Sequence, residues 1–232
     1  MKVDVTSLKQ QAAEKALDFV ESGMVVGLGH GSTAIWAVRG LARLLKEGRL
    51  DNIFGIACSR QVEEEAQQLG IPMSSLDEHL VVDVAIDGAD EVDPHLNVIK
   101  GGGGALLREK VVAQATRREI IVVDESKLSS QLGTHWAVPV EVLSFGWRSQ
   151  AAYLEALGAH TILRRDDEGI PFRTDQHNYI VDCRFGAIPD PHALAEKLDA
   201  RAGIIEHGLF LNIATDLIVA GRDGIRHLQR QQ

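Results

Sequence analysis

Two neighbouring segments concentrate the groups that acid–base chemistry on an anionic ligand requires. Asp87-Gly88-Ala89-Asp90-Glu91-Val92-Asp93 supplies carboxylates. Lys100-Gly101-Gly102-Gly103-Gly104-Ala105-Leu106-Leu107-Arg108-Glu109-Lys110 supplies a lysine, four consecutive glycines and a Glu-Lys pair. Carboxylates can move protons, and a lysine can balance negative charge as it develops. Each glycine costs ordering entropy, so four in a row point to a place where backbone must approach a ligand. A further glycine segment, Gly29-His30-Gly31-Ser32-Thr33-Ala34, joins the amides of a helix start to two hydroxyls suited to phosphate or sugar oxygens.

Each of these features has a plainer reading. Asp87 and Asp90 can form Asx turns, Ser32 or Thr33 can cap a helix, and Glu109 can be a solvated helix glutamate. The carboxylates from Asp87 to Asp93 also suggest a divalent cation, but the twelve-residue loop with a terminal glutamate is lacking. The adjacent lysine and glycines favour an organic anion, so no metal is expected. Gly29 to Ala34 satisfies the permissive G-x-G-x-x-A dinucleotide pattern. At the end of the next strand, however, Cys58-Ser59-Arg60 stands where that pattern wants an acid ~20 residues on. An NAD(P)-dependent oxidoreductase is therefore the alternative reading.

The elements that must position these groups follow from periodicity. Val81 to Ile86 reads as a buried strand, and Ala105 to Thr116 as the helix carrying Glu109. Met24–Leu28, Asn52–Ala57 and Glu119–Asp124 read as further strands, with helices at Leu8–Val20, Ala34–Lys46 and Arg60–Leu69. Such alternation implies a parallel sheet covered on both faces. After about Gly133 the order changes: strand Ala137–Phe145, helix Arg148–Leu157, strands His160–Arg165 and Tyr179–Phe185, helix Pro191–Ala200, strand Ile204–Gly208. This β-α-β-β-α-β order is ferredoxin-like. Leu217–Gly221 then rejoins the first sheet. The expected fold is α/β: an open, mostly parallel Rossmann-like sheet over 1–133 and 209–232, with a smaller ferredoxin-like α+β domain inserted at 134–208.

Taken together, the segments resemble ribose-5-phosphate isomerase of the A type, a sugar-phosphate aldose–ketose isomerase of the pentose phosphate pathway. The resemblance rests on Gly27 to Ala34, Asp87 to Asp93, Lys100 to Lys110, Val123-Asp124-Glu125-Ser126-Lys127 and Pro139-Val140-Glu141-Val142. Asp182-Cys183-Arg184-Phe185-Gly186 and Glu206-His207-Gly208-Leu209-Phe210 look like later landmarks of the same family. The resemblance implies that Glu109 is the general base and that Asp87, Asp90 and Lys100 open the furanose ring and steady the enediolate. It implies substrate or phosphate contacts at His30, Gly31, Ser32 and Thr33, along Asp87-Gly88-Ala89-Asp90, at Lys100, Gly101, Gly102 and Gly103, and at Lys127, with Lys9 a looser match. No cofactor is implied. His30 departs from the family's Gly-Thr-Gly-Ser-Thr, so a backbone role there survives while a side-chain hydroxyl role does not.

Composition bounds the partners. Apolar residues make up 45% and charged residues 25%, as in ordinary globular proteins. A formal net charge of −9 disfavours non-specific nucleic-acid binding. No apolar run approaches the ~18 residues that span a bilayer. Met1-Lys2-Val3-Asp4-Val5 lacks a secretory pattern, and Cys58 and Cys183 lie far apart, so a cytoplasmic protein with reduced thiols is expected. A non-catalytic sugar-phosphate sensor is a second alternative, but the ~23 residues before the first strand are too few for a helix-turn-helix module. The expected partner is a small sugar phosphate, and the resemblance implies a homodimer or a dimer of dimers.

Overall fold

The computed structural model describes residues 4–231; Met1 to Val3, part of the N-terminal pattern considered above, lie outside them. In chain order the elements begin α1 (Val5–Ala16), β1 (Val25–Leu28), α2 (Ala34–Lys46), β2 (Phe54–Ala57), α3 (Arg60–Gln68) and β3 (Val82–Asp87). They continue with β4 (Glu91–Val92), β5 (Val98–Ile99), α4 (Leu106–Gln114), β6 (Thr116–Asp124), β7 (Val138–Val142), α5 (Trp147–Ala156) and β8 (His160–Leu163). The last are β9 (Tyr179–Arg184), α6 (Pro191–Asp199), β10 (Ile204–His207), β11 (Leu209–Phe210), β12 (Asp216–Gly221) and β13 (Gly224–Gln229). The chain divides into two compact units, one of Met1–Ala89, Arg108–Lys127 and Asn212–Gln232, the other of Asp90–Leu107 and Leu128–Leu211.

The first unit is built on a six-stranded sheet ordered β13-β12-β6-β3-β1-β2. All neighbours are parallel except the β12–β13 hairpin. Val25 to Leu28 are buried at every position, as a strand covered on both faces requires. Helix α1 starts where the Asp4 carboxylate accepts the Thr6 N–H at 3.1 Å, and it turns Leu8, Ala12, Ala13 and Ala16 into the core. Because β1 leads to β2 on one side and β3 lies on the other, the strand order reverses between β1 and β3. Open α/β sheets leave their ligand crevice at the carboxyl ends of strands flanking such a reversal.

The second unit contains a four-stranded antiparallel sheet, β10-β7-β9-β8, in which α5 links β7 to β8 and α6 links β9 to β10. This is the expected ferredoxin-like order. A three-stranded sheet, β11-β5-β4, accompanies it. Its members are two residues long, too short to show periodicity. They account for a difference from the expected boundaries: residues 90–107, 128–133 and 209–211 group with the second unit. Lys100 N–H bonds Gly208 O at 2.9 Å and Ser129 N–H bonds Val92 O at 2.9 Å, tying the first two of these segments into that unit.

Element boundaries differ as well, most tellingly at the junction of α4 and β6. The helix carrying Glu109 ends at Gln114 rather than Thr116, and β6 begins at Thr116 rather than Glu119. The charged run Arg117-Arg118 is strand because neighbouring strands answer its charges: Arg117 bonds Asp83 at 2.9 Å, and Arg118 forks onto Asp216 at 3.0 and 2.8 Å. Strand β13 was not anticipated at all, since its six residues are exposed and carry no alternation. Among the described residues no helix is long and apolar enough to cross a membrane.

Candidate active site

Within the first unit, the carboxyl ends of β1 and β3 bring together most of the expected substrate contacts. The buried Asp87 ends β3, and its Oδ1 accepts the His30 N–H at 3.1 Å and the Gly88 N–H at 2.7 Å. Gly29 N–H bonds Ile86 O at 3.0 Å, so the turn after β1 is fastened to β3 by main chain as well. A Cβ at Gly29 would lie 2.5 Å from Asp87 Cα, which explains that glycine by space alone. Gly31 has φ +108°, which admits the left-handed kink leading into α2.

Thr33 occupies the N-cap of α2 without a capping bond from its side chain, so the plain capping reading does not hold for it. Lys9, on α1, donates to Ser32 Oγ at 2.9 Å, which brings the loosest expected contact onto the same turn. The α2 amino end, the Ser32 and Thr33 hydroxyls and the Lys9 ammonium together suit an anionic group. The His30 ring is tied elsewhere: Nδ1 lies 2.9 Å from Ser59 Oγ, which itself caps α3 by accepting Val62 N–H at 3.1 Å. His30 thus contributes its amide to Asp87 and its ring to the next loop. Ser59 also fills the region where a dinucleotide site would need an acid.

Two further expected residues of this unit are carried by other elements. Glu109 lies in the first turn of α4 and is 4% exposed. Lys127 closes the short 3₁₀ turn Glu125–Lys127 that follows β6, the strand beside β3.

Within the second unit, the β4–β5 hairpin places Asp90 opposite the start of the glycine run. Asp90 N–H bonds Ile99 O at 2.8 Å, and Gly102 N–H donates to Asp90 Oδ2 at 2.7 Å. Lys100 is 2% exposed, with its ammonium 5.5 Å from the centre of the Phe210 ring, a cation–π distance. Gly101 and Gly104 close a turn through a 3.0 Å bond, while Gly102 and Gly103 between them are exposed. The other carboxylates of the acidic segment build loops. Glu91 accepts N–H bonds from Gly133, His135 and Trp136 at 2.9 to 3.2 Å. Asp93 accepts from the His95 and Asn97 amides at 2.8 Å. These bonds occupy lone pairs that a cation would need.

One other grouping of possible metal ligands occurs among the described residues, Asp199, Glu206 and His207. His207 Nδ1 accepts the Leu209 N–H at 3.2 Å, so in the neutral ring the proton sits on Nε2, 3.1 Å from Asp199 Oδ1. That tautomer offers a cation no lone pair.

A family model described as ribose 5-phosphate isomerase A (phosphoriboisomerase A) matches residues 54–224, well over half of the chain. The chain belongs to the ribose 5-phosphate isomerase A family. Ribose-5-phosphate isomerase A of Desulfatibacillum aliphaticivorans is 57% identical over 223 residues, 96% of this chain and 97% of that one. Its counterpart in Chloroflexus aurantiacus is 56% identical, over 95% and 92% of the two chains. The solved structure of a D-ribose-5-phosphate isomerase in complex with phospho-erythronic acid superposes with a TM-score of 0.96 at 40% identity. It covers 98% of this chain and 100% of that one. Ribose 5-phosphate isomerase from Plasmodium falciparum gives a TM-score of 0.94 at 39% identity, with 98% and 100% covered.

In this ribose 5-phosphate isomerase A chain, one side chain that holds the glycine turn was absent from the expected residues. Arg164, just past β8, donates Nη1 to Gly101 O at 2.8 Å and to Gly102 O at 3.1 Å. It holds Asp182 of β9 by a fork of two further bonds. Asp182 had stood out only as part of a family landmark. No local pattern could have found Arg164, because more than 60 residues separate it from the glycines it grips.

Proposed function

We propose that this chain interconverts D-ribose 5-phosphate and D-ribulose 5-phosphate through an enediolate. The observation that carries the reading is the buried carboxylate of Glu109, set in the first turn of α4 directly after the glycine turn, in a chain of the ribose 5-phosphate isomerase A family. Glu109 removes the C2 proton of the open-chain aldose, and the C2–H electron pair forms the C1=C2 bond as charge moves onto O1. A proton passes between O1 and O2, Glu109 returns its proton to C1, and the ketone forms at C2. One carboxylate acting in this way supplies on the order of 10²–10⁴-fold.

Asp87, Asp90 and Lys100 open the ring and steady the enediolate. The buried Lys100 ammonium suits that task, because little water competes for the charge it meets. Gly31, Ser32, Thr33, Lys127 and Lys9 anchor the phosphate, and the backbone at His30, Gly88, Ala89 and Gly101 to Gly103 lines the sugar. Fixing the phosphate lets binding energy from the unreactive end orient C1 and C2. No step calls for nicotinamide or a metal ion.

We also assign the protein to the pentose phosphate pathway, to the cytoplasm and to a homodimer or dimer of dimers. Cys58 and Cys183 are buried free thiols, and burial holds the Cys183 thiol far above its ordinary range, as suits a reducing compartment. Phe145, 90% exposed, is apolar surface that a second copy could cover.

The test is conversion of ribose 5-phosphate in D₂O, followed by proton NMR with and without chelator. The expected result is ribulose 5-phosphate carrying solvent deuterium at C1, at a rate the chelator leaves unchanged. Complete retention of the substrate hydrogen together with undiminished turnover in Glu109→Gln would point to hydride transfer and would overturn the enediolate route.

A further inference from the structure

The Arg164 guanidinium uses four of its five N–H donors in one arrangement. Nε and Nη2 grip the Asp182 carboxylate, and the two Nη1 hydrogens reach the carbonyls of Gly101 and Gly102. The pair is largely withdrawn from water, with side-chain exposures of 15% and 27%. Phe172 packs against the position a Gly104 Cβ would take, and the guanidinium carbon lies 6.0 Å from the same ring. The glycine turn is thus seated on β8 and the chain that follows it.

In a trans peptide the N–H points opposite to the preceding C=O. With Gly101 O turned to Arg164, Gly102 N–H must face away, and it does, onto Asp90 at 2.7 Å. With Gly102 O also turned to Arg164, Gly103 N–H faces away on the same side as Asp90. Gly102 and Gly103 are exposed, so this is backbone that a ligand can reach. A cation on the two carbonyls also polarises both peptides, which strengthens their N–H groups as donors.

We propose that Arg164, braced by Asp182, is a positioning residue that orients the Gly102–Gly103 peptide so that the Gly103 amide donates to the oxyanion of the enediolate, beside Asp90. The proposal rests on the isomerase reading above and adds to it the group that fixes the donor. Lysine cannot substitute, because a single ammonium does not reproduce the planar fork.

The experiment compares wild type, Arg164→Ala and Arg164→Lys below their melting temperatures, with inhibition by phospho-erythronic acid and by inorganic phosphate. Arg164→Ala is expected to lower kcat on the order of 10- to 100-fold, since a small misplacement of a donor is costly. KM should stay within about threefold, because the oriented donor acts in the transition state. Millimolar guanidinium ion should restore part of the Arg164→Ala rate without accelerating wild type, and Arg164→Lys should remain slow. Inhibition by phospho-erythronic acid, whose carboxylate carries charge where the enediolate does, should weaken while that by inorganic phosphate is unchanged. An unchanged kcat, a fully active Arg164→Lys, or losses confined to KM and to phosphate inhibition would overturn the role. Absence of isomerisation by wild type would remove the reading beneath it, whereas an active wild type with an unaffected Arg164→Ala would remove only this proposal.

Discussion

The glycine turn after β1 and the glycine turn before α4 are both glycine-rich and each gives an amide to an aspartate, but what else holds them differs. At Gly29 main chain sets the limit: β3 comes so close that a side chain would enter its backbone, and Gly29 N–H bonds Ile86 O, while the Asp87 carboxylate takes the His30 amide. From Gly101 to Gly104 side chains decide. Asp90 takes one amide, Arg164 takes two carbonyls, and Phe172 fills the space beside Gly104. A turn fixed by sheet geometry is rigid by construction. A turn fixed by three side chains can be altered by changes far away in the chain, and its donors can be tuned by the charge behind them.

Alanine placed in each turn separates the two cases. In Gly102→Ala the methyl would lie 2.6 Å from an Asp90 oxygen, a side chain that can swing aside. The expected outcome is a kcat loss of roughly 100-fold with Tm lowered by no more than about 2 °C. In Gly29→Ala the methyl meets backbone, so stability should fall by about 1–3 kcal/mol, several degrees in Tm. Equal Tm losses in calorimetry would break the contrast.

Lys127→Ala sharpens it from the phosphate side. Removing one anchor should raise KM roughly tenfold with kcat within a few fold. Steady-state kinetics showing lost kcat at unchanged KM would contradict an anchoring role.

A smaller effect comes from how each unit buries an acid. In the first, burial would raise the Asp216 carboxyl, but bonds from Arg118, Thr215, His227 and Gln229 outweigh it and hold the group well below the usual carboxylate range. Its stabilisation is present above the unfolded value of 3.8 and is lost as pH falls further. In the second, burial pushes Glu141 up despite bonds from Asn178 and Thr174. The folded protein then holds that proton more tightly than the unfolded chain does, so stability falls as pH rises from 4.5 through the raised value. Melting curves between about pH 4.5 and 7 should show Glu141→Gln flattening that fall, by at most about 1.4 kcal/mol per pH unit. A wild-type-like slope in Glu141→Gln would refute the assignment.

The same contrast governs what was legible in the sequence. The Ala34–Lys46 helix, the alternation around it and the ferredoxin-like order announce themselves through local periodicity and turn residues. The association of Asp87 with the turn at His30 follows once β1 and β3 flank the reversal of strand order. Strands β4, β5 and β11 are too short to show a period, and β13 lacks a buried face to impose one. The start of β6 was hidden because its arginines are paired across strands rather than along a helix. Arg164 was illegible for the strongest reason: its partners are backbone carbonyls in a different sheet neighbourhood, and no residue near it in sequence signals them.

The most direct test of the account is Glu109→Gln, which keeps the shape of the side chain and removes its ability to take a proton. Ribose 5-phosphate turnover should fall at least ~100-fold while the substrate still binds, as calorimetric titration would show. Near-wild-type turnover in that variant would contradict proton transfer by Glu109, and with it the chemistry assigned to both turns.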